Sequence, residues 1–359
     1  MDILQATKSY EAWMRTCTEV VESELTLKHA KMRKHPFLFF RGTYYRWLQL
    51  WPKICHDLRN APKLLGAGDL HVGSFGTWRD SEGRLCWGID DFDDAYPLPY
   101  TSDLVRLAAS VKMVTDSNDL KIKFRNGCNA ILEGYQQSLR EGGRPFVLAE
   151  HETNLERMGI EAFKPPQDFW KSLLRDPGMK HRQVPPDAKK AMQKTLPAKL
   201  AYKIVRRRAG MGSLGQPRFV AIAMHQGGYI AREVKATVPS ASVWMEGKHG
   251  HGEHFYEKAI SSAVRSHDPY QQIYGNWLIR RLSPDSNPIE IEDLPKERDE
   301  YALLRAMGAE TANVHLGSRK EISKVIRDLH RRDRNWLRRA GKEMAKAIEK
   351  DWRQFKRAS

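Results

Sequence analysis

At 359 residues, 41 % of them apolar, the chain is too long for one small core and too apolar for disorder, so two packed subdomains are expected. No apolar run approaches the ~20 residues that cross a bilayer, and the opening Met1-Asp2-Ile3 lacks the basic-then-apolar form of a signal peptide, which predicts a cytoplasmic protein with no membrane span. The formal charge of +16 invites a nucleic-acid reading, but residues 319–359 hold 15 Lys or Arg against 6 Asp or Glu with no nucleic-acid-binding motif beside them, so nucleic acid is the less favoured partner.

In chain order, the first ~60 residues carry helical spacing, with an aromatic stripe at Tyr44, Tyr45, Trp47 and Trp51. Lys63–Gly68 is a short apolar run feeding a glycine turn. Residues 75–78 and 85–89 form a hairpin around the turn Asp80-Ser81-Glu82-Gly83, and the second strand ends in an acidic cluster. Thr101 or Ser102 is the expected cap of a helix through Val114. A Pro-broken helical stretch follows to about residue 200, with Pro185-Pro186 as the linker candidate. From Tyr202 the pattern changes to strands at 202–205, 218–223, 229–235 and 277–282. A helix from about Arg298 to His315 and a single long amphipathic helix over 322–355 complete the chain. The four cysteines, Cys17, Cys55, Cys86 and Cys128, form no CxxC pair and read as buried thiols.

Chemistry concentrates in two regions far apart in sequence. Gly68-Asp69-Leu70-His71 places a carboxylate in a tight turn, suited to accept a proton from a nucleophile, and His71 is placed to position that loop. Asp90, Asp91, Asp93 and Asp94 crowd a strand end, where their mutual repulsion asks for cations. Hard oxygen ligands of this kind suit Mg2+. Gly210-Met211-Gly212-Ser213-Leu214-Gly215 stands between two strands rather than before a helix, which favours a loop lying over a triphosphate and argues against a dinucleotide fold. Lys235, ending the strand after next, is placed to reach phosphate oxygens, with Glu257 as its expected acidic partner and Glu253 and Glu246 behind it. His315, at a helix end, reads as structural.

As an ordered set, Phe39-Phe40-Arg41-Gly42, Gly68-Asp69-Leu70-His71, Asp91-Phe92-Asp93-Asp94, Ser102 to Ser110, the glycine loop, Val234-Lys235-Ala236 and Ile279-Arg280-Arg281-Leu282 resemble a bacterial family catalogued as domain of unknown function 2252, across most of residues 30–318. That family is similar, in its GD-x-H and DFD elements, to small-molecule kinases. The resemblance implies Asp69 as catalytic base, Asp91 as principal metal ligand with Asp93 assisting, Gly210, Gly212, Ser213 and Gly215 over the phosphates, Lys235 holding them, and Asp103 bracing the catalytic loop. Ser74 stands where such kinases carry a metal-binding asparagine, and a hydroxyl is a weaker ligand for the same ion.

In kinases the nucleotide-covering part comes first; here it comes second. The expectation is therefore an α+β, protein-kinase-like two-lobe fold, circularly permuted. Residues 1–198 would be a helical catalytic lobe, 199–285 a β-rich nucleotide lobe, and 286–359 helices returning to the first lobe. The expected function is ATP- and Mg2+-dependent phosphotransfer to an unidentified small-molecule or peptide hydroxyl. The alternatives are a nucleotide-binding pseudokinase module, a nucleotidyl transferase, and a nucleic-acid-binding protein acting through the basic tail.

Overall fold

The computed structural model describes residues 1–151, 155, 160, 163, 165–248, 254–286 and 299–358. Glu253 and Arg298 lie outside the described residues. The chain opens with four helices, Ile3–Cys17 (α1), Glu22–Lys34 (α2), Pro36–Gly42 (α3) and Tyr44–Ile54 (α4). Asp2 starts the first with a capping box, its Oδ1 accepting the Gln5 N–H at 2.9 Å. The aromatic stripe of α4 is core: Trp47 is completely buried against Phe40.

Strand Lys63–Gly66 (β1) pairs antiparallel with Tyr96–Pro99 (β4), and between them Phe75–Arg79 (β2) and Leu85–Ile89 (β3) make the expected hairpin. Tyr100–Asp116 (α5) follows at once. Its cap differs from expectation: Pro99 holds that position with no side-chain bond, while the Thr101 hydroxyl donates to the Leu58 carbonyl at 2.9 Å. Both hydroxyls are drawn into the core, where buried polar groups need partners more than the helix needs a side-chain cap.

Phe124–Glu141 (α6) and Phe146–Val147 (β5) come next, then Pro166–Arg175 (α7) and Pro186–Gln193 (α8). Lys203–Arg206 (β6), Arg218–His225 (β7), Gly228–Ala236 (β8), Gln272–Tyr274 (β9) and Trp277–Leu282 (β10) form one antiparallel sheet of order β6-β7-β8-β10-β9. Side-chain alternation gives that sheet two apolar faces. One carries Ile204, Phe219, Val234 and Ile279 under Ala188, Ala191 and Met192 of α8. The other carries Val205, Val220, Ile222, Ala231 and Leu282 under Leu173 of α7. The expected boundary at 198/199 thus cuts between the sheet and the helices that cover it; packing puts α7 and α8 with the sheet.

Short helices Ala241–Met245 (α9) and Tyr256–Ser262 (α10) lie between β8 and β9. Glu300–His315 (α11) then packs on α6 at a glycine crossing, where a Cβ on Gly134 would overlap the Arg305 carbonyl and one on Gly308 the Ile131 carbonyl. The basic tail is two helices, not one: Ile322–Arg331 (α12) and Trp336–Arg357 (α13). Asp333 breaks the run, its Oδ1 accepting the Asn335 N–H at 2.6 Å in a turn of the kind Asp and Asn favour. The main core gathers residues of α1–α6, α10–α13 and β1–β3. The fold is mixed α+β, all four cysteines are buried free thiols, and no helix among the described residues is long and apolar enough to cross a membrane.

Candidate active site

The loop after β1 is tied down from beneath. Gly68 adopts φ +83°, and a Cβ there would overlap the Asp94 carbonyl oxygen, so the turn admits glycine alone. Asp103, in the first turn of α5, accepts the N–H groups of Ala67 at 2.7 Å and Gly68 at 3.1 Å, the bracing that the resemblance implies. Its Oδ2 also meets His315 Nε2 at 3.1 Å, and His315 Nδ1 meets the Tyr135 hydroxyl at 2.8 Å. His315 is thus a structural relay inside the core, as expected from sequence.

Asp69 projects from this loop against Arg106 of α5. The guanidinium donates to Asp69 Oδ1 from Nε at 2.7 Å and again from Nη2, donates to the Phe40 carbonyl at 3.0 Å, and stacks on the Phe40 ring at 4.0 Å. Burial pushes the Asp69 carboxyl above its ordinary range, and Arg106 restrains that rise. With Oδ1 so occupied, Oδ2 turns toward Gly212, whose Cβ position lies 3.9 Å from it with only the Arg41 carbonyl also near. The glycine loop therefore passes directly over the carboxylate.

His71 and Ser74 serve the loop from inside. His71 Nδ1 accepts the Gly73 N–H at 3.1 Å, and the ring packs edge-on against Phe37; burial, then the nearby Arg41, hold it well below its usual value and so neutral. His71 thus holds the loop through Nδ1, and it also lines the cavity beside Asp69. Ser74 Oγ accepts the His71 N–H at 3.0 Å and donates to the Asp69 carbonyl at 3.2 Å, so its hydroxyl is used within the turn and lines neither cavity beside Asp69. Its expected place as a metal ligand does not fit that orientation.

At the end of β3 the four aspartates have different surroundings. Asp93 pairs with Lys235 Nζ across the cleft, and this cation overrides burial to hold the Asp93 carboxyl below its ordinary value. Asp94 Oδ1 accepts the Ala241 N–H at 2.7 Å; burial, with Asp69 adding repulsion, pushes it up to about 7. Asp90 is pushed up to about 6 by burial, partly offset by Arg280. Asp91 is exposed and, with Asp69, Asp93 and Asp94, lines a small recess of about 40 Å³ that Gly212 and Ser213 close from above. Among the described residues no three His, Cys, Asp or Glu side chains form a metal cage by themselves. Of the four carboxylates lining the recess, Asp91 and Asp93 are the pair the resemblance names, a donor set that fits magnesium, which keeps several waters and completes its shell on phosphate.

The larger cavity, about 870 Å³, opens from Asp69, Asp90 and Asp91 under Gly210, Gly212, Ser213 and Lys235. Gly215 stands apart from it, packed against Leu25 of α2. Glu257 does too: it is exposed, and its Oε1 accepts the Ile273 N–H at 3.0 Å, so its expected partnership with Lys235 is corrected to one with Asp93. Glu246 is likewise engaged elsewhere, by Tyr96 and Lys248.

Sequence reasoning missed how α2 holds the glycine loop. Lys28 Nζ, buried with its amine pushed down by desolvation, donates to the Gly212 carbonyl at 2.8 Å, and the Val21 N–H donates to the Gly215 carbonyl at 2.8 Å. Glu24 accepts from Arg206 at 3.1 Å just ahead of the loop. Nothing in the local sequence of α2 marks these contacts. Arg106 stood inside a motif already singled out, and an arginine inside an otherwise apolar helical segment was the signal that a buried anion awaits it.

The fold and cleft define an α+β protein whose described residues bring an aspartate loop, an acidic strand end, a glycine turn and a lysine strand around one cavity. Residues 20–175 match a family model whose description reads "Uncharacterized protein conserved in bacteria (DUF2252)". The matched span carries Asp69, Arg106 and the aspartate cluster but stops before the glycine loop and Lys235, short of the expected 30–318. No curated protein and no solved structure matches the chain.

Proposed function

We propose that the protein binds a nucleoside triphosphate with magnesium in this cleft and transfers the terminal phosphoryl group to a hydroxyl-bearing substrate, in a permuted two-lobe arrangement akin to kinases. The observation that carries the reading is the meeting of Lys235 with Asp93 across a cavity in which Gly212 lies over the Asp69 carboxylate. Backbone and lysine on one wall and carboxylates on the other are the parts phosphoryl transfer asks for, since positioning and charge do most of the work. The sheet with α7 and α8 would be the nucleotide-covering lobe.

In this reading Asp69 Oδ2 accepts the hydroxyl proton as the substrate oxygen attacks the terminal phosphorus. The bond to the bridging oxygen breaks and a nucleoside diphosphate leaves. Arg106 keeps Asp69 ionised and fixed in orientation. Lys235 would exchange Asp93 for phosphate oxygens, freeing Asp93 to join Asp91 as a ligand. Magnesium, held there, supplies charge neutralisation of the phosphate oxygens.

Thermal unfolding with ATP and magnesium, together with product analysis by mass, tests this. The expected result is stabilisation of both wild type and Asp69→Asn, with phosphorylated product only from wild type. Product heavier by a nucleoside monophosphate would instead assign nucleotidyl transfer. A second reading, a nucleotide-binding module without turnover, draws on the inward-facing Ser74 hydroxyl; stabilisation with no product from either protein would favour it. Absence of any ATP-dependent stabilisation would overturn both.

A further inference from the structure

One carboxylate in the sheet serves three guanidiniums. Glu233 of β8 is wholly buried, and Arg207, Arg218 and Arg280 reach it from the end of β6, the start of β7 and the middle of β10, with Nη1 to Oε2 at 2.6 Å, Nη1 to Oε1 at 3.0 Å and Nη2 to Oε1 at 3.2 Å. The register makes this inevitable. Arg280 lies directly opposite Glu233, and Arg218 opposite Lys235, so all four side chains share the face of the sheet that turns into the cavity.

The charges do not cancel. Three arginines against one glutamate leave a formal surplus of two positive charges, and all three arginines line the 870 Å³ cavity. Holding unbalanced charge away from water is costly unless a counter-ion completes the set. The carboxylate nearest to the surplus, Asp90, stands 3.9 Å from Arg280 Nη1, beyond hydrogen-bond reach. Arg280 Nε is buried and has no hydrogen-bond partner. Arg218 Nη2 meanwhile donates to Ser213 Oγ at 2.7 Å, tying the cluster to the glycine loop. Such planar forks match phosphate oxygens in geometry.

We propose that Arg207, Arg218 and Arg280, held by Glu233, form an anion subsite that grips a polyphosphate chain and takes up the charge that builds on the departing diphosphate. The subsite deepens the phosphotransfer reading and rests on it for its catalytic purpose, whereas its affinity for a phosphate chain stands without nucleoside or magnesium. Lys235 sits beside it on the same face and orients the end of the chain nearer Asp69.

The test uses the full chain and inorganic tripolyphosphate, without magnesium. Titration calorimetry is expected to show one bound tripolyphosphate per protein, weakened at least about tenfold in Arg207→Met and in Arg280→Met. Arg353→Met, an equal loss of charge at an exposed position of α13, is expected to leave binding unchanged. No binding to wild type, or equal weakening by Arg353→Met, overturns the subsite. Because these variants can misfold, phenylglyoxal labelling of unaltered protein, in which the Arg207 side chain is 24% exposed, is read by mass in parallel. Protection of Arg207 by tripolyphosphate supports the subsite and lack of protection overturns it. ATP turnover separates the two ideas: tripolyphosphate binding that depends on Arg280, in a protein with no turnover, keeps the subsite and removes the phosphotransfer reading. Turnover unimpaired in Arg280→Met does the reverse.

Discussion

Asp69 and Arg106, 37 positions apart, form an ion pair in which the arginine is completely buried and the aspartate keeps one oxygen for the cleft. Removing the cation strands a buried anion, a loss that typically costs about 3–5 kcal/mol. Arg106→Met is therefore expected to lose stability of that order in urea unfolding. Any pH-rate profile should also have its acidic limb moved to higher pH, because Arg106 is what restrains the rise of the Asp69 carboxyl. A stability change below about 1 kcal/mol would contradict the pairing.

Lys28 separates loop placement from folding. Its buried amine is costly in itself, so Lys28→Met is expected to change stability by less than about 1 kcal/mol while releasing the Gly212 carbonyl from its tether. ATP affinity should fall about tenfold, near 1.4 kcal/mol, in titration calorimetry. Unchanged affinity would mean that the glycine loop holds its place without α2.

Gly68→Ala meets both a left-handed backbone and the Asp94 carbonyl oxygen. The two penalties together are expected to cost about 3–5 kcal/mol in the unfolding midpoint. Gly83→Ala is the control: it shares a positive φ but has nothing near its Cβ, so it should cost about 1–2 kcal/mol.

Glu310, under β3, gives a pH signature away from the cleft. Its carboxylate accepts from Ile89 N at 3.2 Å and from Asn313 at 2.9 Å, and burial pushes it from 4.5 up to about 7, with Arg265 opposing. The folded state thus holds a proton that the unfolded state has released. Stability from this group is complete below about 4.5 and is lost as pH rises through about 7, with a slope of at most about 1.4 kcal/mol per pH unit. Urea unfolding between pH 5 and 8 should show that decline, flattened in Glu310→Gln.

Strands and turns were readable because their signals are local: a β-branched and aromatic run over 218–223, Gly227-Gly228 between strands, Gly83 closing a hairpin. Lys235 was readable as a cleft residue, but its partner was not. Sequence order suggested the next helix, whereas the pleat of the sheet turns Lys235 toward the aspartate strand end and leaves Glu257 outside. The carboxylate that organises the sheet, Glu233, stood two residues away, hidden because its three arginines come from strands that become neighbours only on folding. The break in the tail was visible in principle at Asp333 and Asn335, two turn formers inside a helical pattern.

The cavity wall is collected from the loop after β1, the end of β3, α7, the turn after β6 and strands β7, β8 and β10, and contacts that hold it, such as Lys28 with Gly212, span 184 positions. Such closures come late, since distant segments meet only after the intervening chain has paid its entropy. A collapsed but half-organised species would possess helices and hairpins yet nothing able to hold a ligand. Occupancy of the cleft would then report, in a single signal, that the whole polypeptide has finished assembling.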